Sequence, residues 1–196
     1  MNRADITELH YITAIANLPS ILRRGILSHN LAEKIAHDSV AMQEIQERRQ
    51  NKRIPGAGYL HDYANLYFDA HNPMLSRCRA RNDEICVLEV KPSVLDQNDV
   101  IVTDRNAATD WVRFLPASHG LPLIDHDRVF ARYWTHPNDF YDERLHKAQK
   151  CAEVLVPQRV DSTLIAGAYV ANRVALGAFT AVSSELSVAI RSDMFF

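Results

Sequence analysis

The chain has 196 residues, of which 47% are hydrophobic and 23% charged, a balance that excludes long disorder, collagen-like repeats and a disulfide scaffold. Its 22 Lys and Arg against 24 Asp and Glu give a net charge of -2, which excludes a uniformly basic nucleic-acid coat but not a local basic patch. At ~150 residues per domain the length fits one domain over residues 1–196, with a core that needs no covalent staples.

The opening stretch MNRADITELHYIT has no signal-peptide hydrophobic region. No later run approaches the ~20 apolar residues of a membrane helix, so a cytoplasmic protein without membrane contact is expected. Leu9 to Ile15 reads as a strand. Asn17-Leu18-Pro19 then starts a short helix: Asn17 is a capping residue, Pro19 suits the first turn, Ile21 and Leu22 supply an apolar face, and Gly25 ends it. A second helix is predicted over Ser39 to Gln50. In it Met42, Ile45 and Arg49 fall at i, i+3 and i+7, so Arg49 continues the apolar stripe toward a cleft while Arg48 turns away.

Ile54 to Gly58, with Pro55, Gly56 and Gly58, reads as a loop. Strands follow at Asn65 to Asp69, Ile85 to Val90 and Val100 to Thr103, the last two β-branched. Asp139 to Lys150 is a charged helical stretch. Ala152 to Val156, Thr163 to Val170 and Ser187 to Arg191 complete the strands. Short strands mixed irregularly with helices indicate an α+β domain rather than a regular βαβ alternation. The three cysteines, Cys78, Cys86 and Cys151, are odd in number and form no CxxC, which fits a reducing compartment.

Three features bear on chemistry. Glu153 is a lone carboxylate heading the apolar run VLV. It reads either as an outward residue on an alternating strand or as a carboxylate aimed into a cleft, where it can take a proton or stabilise a developing cation. IQERRQNKR carries Arg48, Arg49, Lys52 and Arg53, either a solvated helix end or a phosphate clamp. RCRAR adds Arg77, Arg79 and Arg81. With Tyr59, Tyr63, Tyr67 and Phe68 nearby, cations and stacking surfaces mix as single-stranded nucleic acid requires, although aromatics at strand spacing also serve as core. The nine histidines form no HExxH or Cys/His cluster, so no metal is expected, and there is no P-loop or GxGxxG.

YITAIANLPSILRRGILSHN, the IQERR ending on Arg49, LHDYANLYFDAHNPML over Leu60–Leu75, TDR over Thr103–Arg105, KCAEVLV around Glu153 and the closing IRSDMFF together resemble, in order, the DarT family of DNA ADP-ribosyltransferase toxins. The resemblance implies an α+β ADP-ribosyltransferase fold: two packed, mostly antiparallel sheets holding NAD in the cleft between them, with flanking helices. It implies transfer of ADP-ribose from NAD, a co-substrate used without a metal, to a base of single-stranded DNA, with release of nicotinamide. One branch of the family modifies thymine and another guanine. The expected partner is a DarG-like antitoxin whose macrodomain removes ADP-ribose.

Carried onto this chain, the resemblance makes Glu153 the catalytic glutamate and Arg49 the active-site arginine. A guanidinium holds its proton too tightly for an ordinary base, so Arg49 is assigned first to the NAD phosphates or to orienting the target. Tyr11 and Thr13 lie where the family has an H-x-T that holds the nicotinamide ribose, with His10 just before. His10, Tyr11, Thr13, Asn17, Tyr67 and Phe68 form the NAD-binding set. Arg48, Lys52, Arg53, His61, Asp62, Tyr63, Arg77 and Arg79 form the DNA-binding set. Tyr11 departs from the H-x-T form, which points toward guanine, and Ala14 stands where the family often has His. Two other readings remain: the same fold acting on RNA, and an attenuated protein of this fold that only binds nucleic acid.

Overall fold

Buried β-branched runs build the strands, and capped, charged stretches build the helices that flank them. The computed structural model describes residues 1–196. In chain order the elements are β1 (Leu9–Ala14), α1 (Leu18–Arg24), β2 (Ile26–Leu27), α2 (His29–Ala32), α3 (Gln43–Gln50), β3 (Tyr63–Tyr67), α4 (Pro73–Arg77), β4 (Ile85–Val90), β5 (Ile101–Thr103) and β6 (Phe114–Pro116). They continue with α5 (Ala117–Gly120), α6 (His126–Val129), α7 (Phe140–Lys150), β7 (Glu153–Pro157), β8 (Arg159–Val160), β9 (Ile165–Val170), α8 (Arg173–Val182) and β10 (Val188–Ile190).

Eight strands follow one another in the order β10-β9-β4-β1-β3-β7-β5-β6, and β2 and β8 form a separate two-stranded ladder. Every pairing is antiparallel except β10 on β9. The long ladder is not uniform. β1 pairs with β4 along its length, from Leu9↔Val90 to Ala14↔Ile85. β3 pairs with β7 from Tyr63↔Pro157 to Tyr67↔Glu153. Between β1 and β3 only His10↔Tyr67 is in register. The α+β ADP-ribosyltransferase fold is thus realised as two four-stranded halves hinged at one residue pair. The expected pair of sheets is one interrupted ladder, and its seam is where a cleft opens.

A main core cluster of 29 buried residues runs under both halves. A second cluster of 11 gathers at the seam, joining Ile12 and Val87 to Tyr67, Cys151, Met194 and Phe195.

Local differences from the sequence reading have identifiable causes. The helix predicted over Ser39–Gln50 begins only at Gln43. The Asn17 side chain accepts from the Asp38 N–H at 2.9 Å and donates to the Asp38 carbonyl at 2.8 Å, anchoring the approach to α3 as a loop. For the same reason Asn17 makes no capping bond at α1. The strand predicted at Asn65–Asp69 starts two residues earlier, at Tyr63. β9 starts at Ile165 because Asp161 accepts from Thr163 N–H and turns Ser162–Leu164 into a 3-10 helix. The unpredicted α8 is set by Asn172, whose side chain accepts from the Val174 and Ala175 N–H groups.

Candidate active site

Glu153 opens β7 with its backbone N–H donating to Thr103 Oγ1 at 3.0 Å. Its side chain has no exposed surface. The carboxylate accepts from both Nη atoms of Arg49, at 3.0 Å each, and Oε1 also accepts from the Ala107 N–H at 2.9 Å. The outward-facing reading of Glu153 therefore gives way to the inward one. Arg49 sits in the last turn of α3 and is 6% exposed. Its neighbour Arg48 points to solvent and pairs with Glu44 at 2.6 Å, as the helical spacing requires. A buried, bidentate pair adds little net stability over apolar residues of the same volume, so its place beside a cavity points to chemistry.

That cavity, about 400 Å³, lies along the seam between β1 and β3 and under α3. Its size suits a small-molecule site, and its lining mixes apolar and polar side chains. Ile45, Gln46 and Arg49 present the α3 face to it, with Met42 just before the helix. Asn17 ties the wall together: besides holding Asp38, it donates to Thr13 Oγ1 at 3.2 Å.

The electrostatics follow from burial. Burial alone would lower the Arg49 pKa, but the Glu153 carboxylate and its hydrogen bonds outweigh this and hold the guanidinium above its ordinary value. Tyr67 is held well above the ordinary phenol value, by burial first and by the Glu153 charge second, so its hydroxyl stays a donor. Burial pushes Tyr11 and Cys151 each up to about 12. His61 moves the other way, down to about 4, through burial, then the neighbouring His29, then Arg49. The His29 and His61 rings lie 4.0 Å apart, and His61 Nε2 is buried without a hydrogen-bond partner.

The structure sorts the expected site residues. Tyr11, Thr13, Asn17, Arg49, His61, Tyr63, Tyr67 and Arg77 line the cavity, with Glu153 enclosed behind Arg49. His10 and Phe68 do not line it: His10 Nδ1 bonds the Phe68 carbonyl at 3.2 Å, and Phe68 is 1% exposed in the main core. Asp62 is engaged structurally, accepting from the Asn30 side chain at 2.8 Å and the Tyr59 N–H at 3.1 Å. Arg53 stacks on Tyr59 at 4.5 Å and bonds its hydroxyl. Arg48 and Lys52 line a different cleft, on the far side of the end of α3, and Arg79 lines neither.

The family model described as "DarT: ssDNA thymidine ADP-ribosyltransferase, DarT" matches residues 10–196. The chain belongs to the DarT family. A DNA ADP-ribosyl transferase–DNA ADP-ribosyl glycohydrolase fusion protein of Thermosipho africanus is 33% identical over 171 residues, which are 84% of this chain and 42% of that relative. The chain thus spans less than half of that relative's length. The structure of Thermus sp. 2.9 DarT in complex with ADP-ribosylated ssDNA superposes with a TM-score of 0.80, at 27% identity, covering 98% of this chain and 97% of that one. The same Thermus protein with carba-NAD+ gives 0.78 at 25% identity, covering 98% and 99%.

In this DarT-family chain, sequence reasoning missed what is carried by the backbone or comes from distant segments. The Ala107 N–H that orients Glu153 has no side-chain signature. Thr103, which holds the Glu153 N–H, stands in the TDR motif that signalled it without a role. Asp104 accepts from Arg105 and twice from Arg113, fixing the loop that carries Ala107.

Proposed function

We propose that the chain transfers ADP-ribose from NAD to a nucleobase of single-stranded DNA and releases nicotinamide. The observation that carries this reading is the enclosed Arg49–Glu153 pair beside a cavity set in the seam of the sheet. The solved structures of Thermus sp. 2.9 DarT in complex with carba-NAD+ and with ADP-ribosylated ssDNA support the two substrates.

Glu153 serves to hold the ribose and stabilise the positive charge that develops as the nicotinamide bond loosens, an effect worth roughly 3 kcal/mol per well-placed contact. Oε1 accepts from Arg49 and Ala107 while Oε2 accepts from Arg49 alone, so Oε2 keeps a lone pair for a ribose hydroxyl. The second N–H of each Arg49 Nη is left for phosphate or the target base. The Ala107 N–H holds Glu153 in this orientation. Tyr67 offers a donor, and the neutral His61 offers an unpartnered nitrogen, to whatever fills the cavity.

Two bases compete as acceptor. The description of the matched family names thymidine, which supports thymine. Thymine must lose its imide proton, so transfer to it needs a base in the cavity. The departure at Tyr11 from the H-x-T form supports guanine, whose exocyclic amine attacks without prior deprotonation. Thymine is the first acceptor to test. We further propose that the activity is toxic and is reversed by a DarG-like macrodomain partner, which the glycohydrolase half of the Thermosipho relative's name supports.

The test is mass spectrometry of four single-stranded oligonucleotides, each with one variable base, incubated with protein and NAD beside Glu153→Ala. The expected result is an ADP-ribose adduct on the thymine strand, absent with Glu153→Ala. An adduct on guanine alone selects the other base. No adduct with NAD still bound points to a missing sequence motif around the base or to an RNA acceptor, and no adduct without NAD binding leaves only a nucleic-acid-binding protein.

A further inference from the structure

His10, expected among the NAD-binding residues, lies outside the cavity, and its side chain is engaged where the two half-sheets meet. It is buried, and its backbone forms the one register pair that joins β1 to β3, with Tyr67. Its ring adds a second link across that seam. Nδ1 donates to the carbonyl of Phe68, the residue after β3, at 3.2 Å. Nε2 donates to Oε1 of Glu8, just before β1, also at 3.2 Å. Glu8 Oε2 accepts from the Tyr169 hydroxyl on β9 at 2.6 Å. The hydrogen bond from His10, ahead of that from Tyr169, holds the Glu8 carboxyl below its ordinary value, so it stays an acceptor.

The network continues past Tyr169. Glu89 on β4, in register with His10 and with Gly167 of β9, also faces the Tyr169 hydroxyl, at 3.1 Å. A Cβ at Gly167 would stand 3.1 Å from Glu89 Oε2, so the glycine leaves this carboxylate its room. The Arg191 guanidinium lies over the Tyr169 ring at 5.5 Å and pairs with Asp193 at 3.1 Å. Met194 and Phe195 then enter the seam cluster. The links thus run from the end of β3 to the tail after β10, and none of the side chains that make them lines the cavity. Their effect on it passes through neighbours. His10 shares a face of β1 with Ile12, which belongs both to the seam cluster and to the cavity wall. Tyr67, one residue before Phe68, does the same from β3. Two halves joined by one backbone pair can turn about it; a side-chain bond to the next carbonyl removes that freedom.

We infer that His10 is a positioning residue for the transfer reaction: its bond to the Phe68 carbonyl, braced from behind by Glu8 and Tyr169, holds the two half-sheets at the separation that NAD requires. The inference rests on the NAD-transfer reading for its choice of ligand. It goes beyond that reading in giving control of the cavity to a residue outside it.

The test uses two isosteres of the ring. An Asn amide places its nitrogen near Nδ1 of the histidine it replaces, and a Gln amide reaches the place of Nε2, so each keeps one of the two bonds. His10→Asn should retain the bond across the seam, with KM for NAD within about twofold of the wild type. His10→Gln retains only the bond to Glu8, and its KM for NAD should rise roughly tenfold, the effect of one buried hydrogen bond left unmade. His10→Phe, which makes neither bond, should match His10→Gln. In all of them kcat at saturating NAD should stay near the wild-type value, because Arg49 and the Ala107 N–H hold Glu153 without His10. Equal KM in the Asn and Gln variants overturns the inference, whether both match the wild type or both fail. So does a Gln variant whose loss falls on kcat instead of KM.

Amide hydrogen exchange over Leu9–Ile12 and Tyr67–Asp69, followed without NAD, separates this failure from failure of the activity. Faster exchange in His10→Gln and His10→Phe than in His10→Asn, with no NAD binding by the wild type, keeps the clasp and sinks the NAD reading. NAD turnover with the same exchange in every variant does the reverse, and uniform exchange without NAD binding sinks the two together.

Discussion

Removing one member of the Arg49–Glu153 pair leaves the other as an unpaired charge in the interior. Glu153→Ala or Arg49→Ala should each cost about 3–5 kcal/mol in urea unfolding. Arg49→Met combined with Glu153→Leu should cost less than either, because both charges go together. All of these variants should lack transfer activity, so a stable but inactive double variant would mark the pair as functional rather than structural. His61 gives a pH signature. Its pKa falls from the ordinary 6.5 to about 4 on folding, so between these values the unfolded chain binds more protons. Stability should therefore rise with pH through that window, with His71 and His146 adding in the same direction. Thermal melts across pH 4–7 should show His61→Phe with a flatter rise than the wild type. At this scale the sequence was partly legible. Helical spacing separated Arg49 from Arg48, but nothing in CAEVLVP says which face of β7 Glu153 occupies, because a strand buried on both faces has no alternation to read.

Elements were legible where local chemistry fixes them and blurred where a distant side chain intervenes. β4 was read to the residue, because a β-branched run bounded by polar residues has one outcome. Asp139 caps α7 as its position suggests, accepting from the Asp142 N–H at 2.8 Å. The start of α3 depends instead on Asn17, some 20 residues upstream, which no local pattern reveals. Gly25 was read as a helix end, and the structure adds a second constraint. Its φ is 84°, and a Cβ there would stand 2.2 Å from the Val160 carbonyl oxygen, across the β2–β8 ladder. Gly25→Ala should therefore cost roughly 2–4 kcal/mol, well above the usual penalty of a helix-terminal glycine change. Asn172→Ala, which strips two capping bonds from α8, should cost about 1 kcal/mol by the same denaturation assay.

The molecule as a whole is two half-sheets that meet at one backbone pair, and the seam cluster beneath that pair does more than add stability. Ile12, Tyr67 and Cys151 belong both to that cluster and to the cavity lining. The end of the chain closes the cluster from below: Met194 and Phe195 are buried in it, and the Met194 carbonyl bonds His71 at 2.9 Å. His71 stacks on Phe196 at 4.2 Å, so the tail that follows β10 in one half grips the loop that follows β3 in the other. Packing at the tail is therefore expected to set the angle between the halves, and with it the width of the cavity. This gives a comparison between two phenylalanines of similar burial. Phe179 on α8 is fully buried in the main core, away from the seam, while Phe195 is 5% exposed within it. Replacing either with Ala should cost about 3–5 kcal/mol. Only Phe195→Ala should also weaken NAD binding in the folded fraction, measured calorimetrically at a temperature well below either melt. Equal NAD affinity in the two variants would show that the seam is rigid without its tail and that the cavity takes its width from the strands alone.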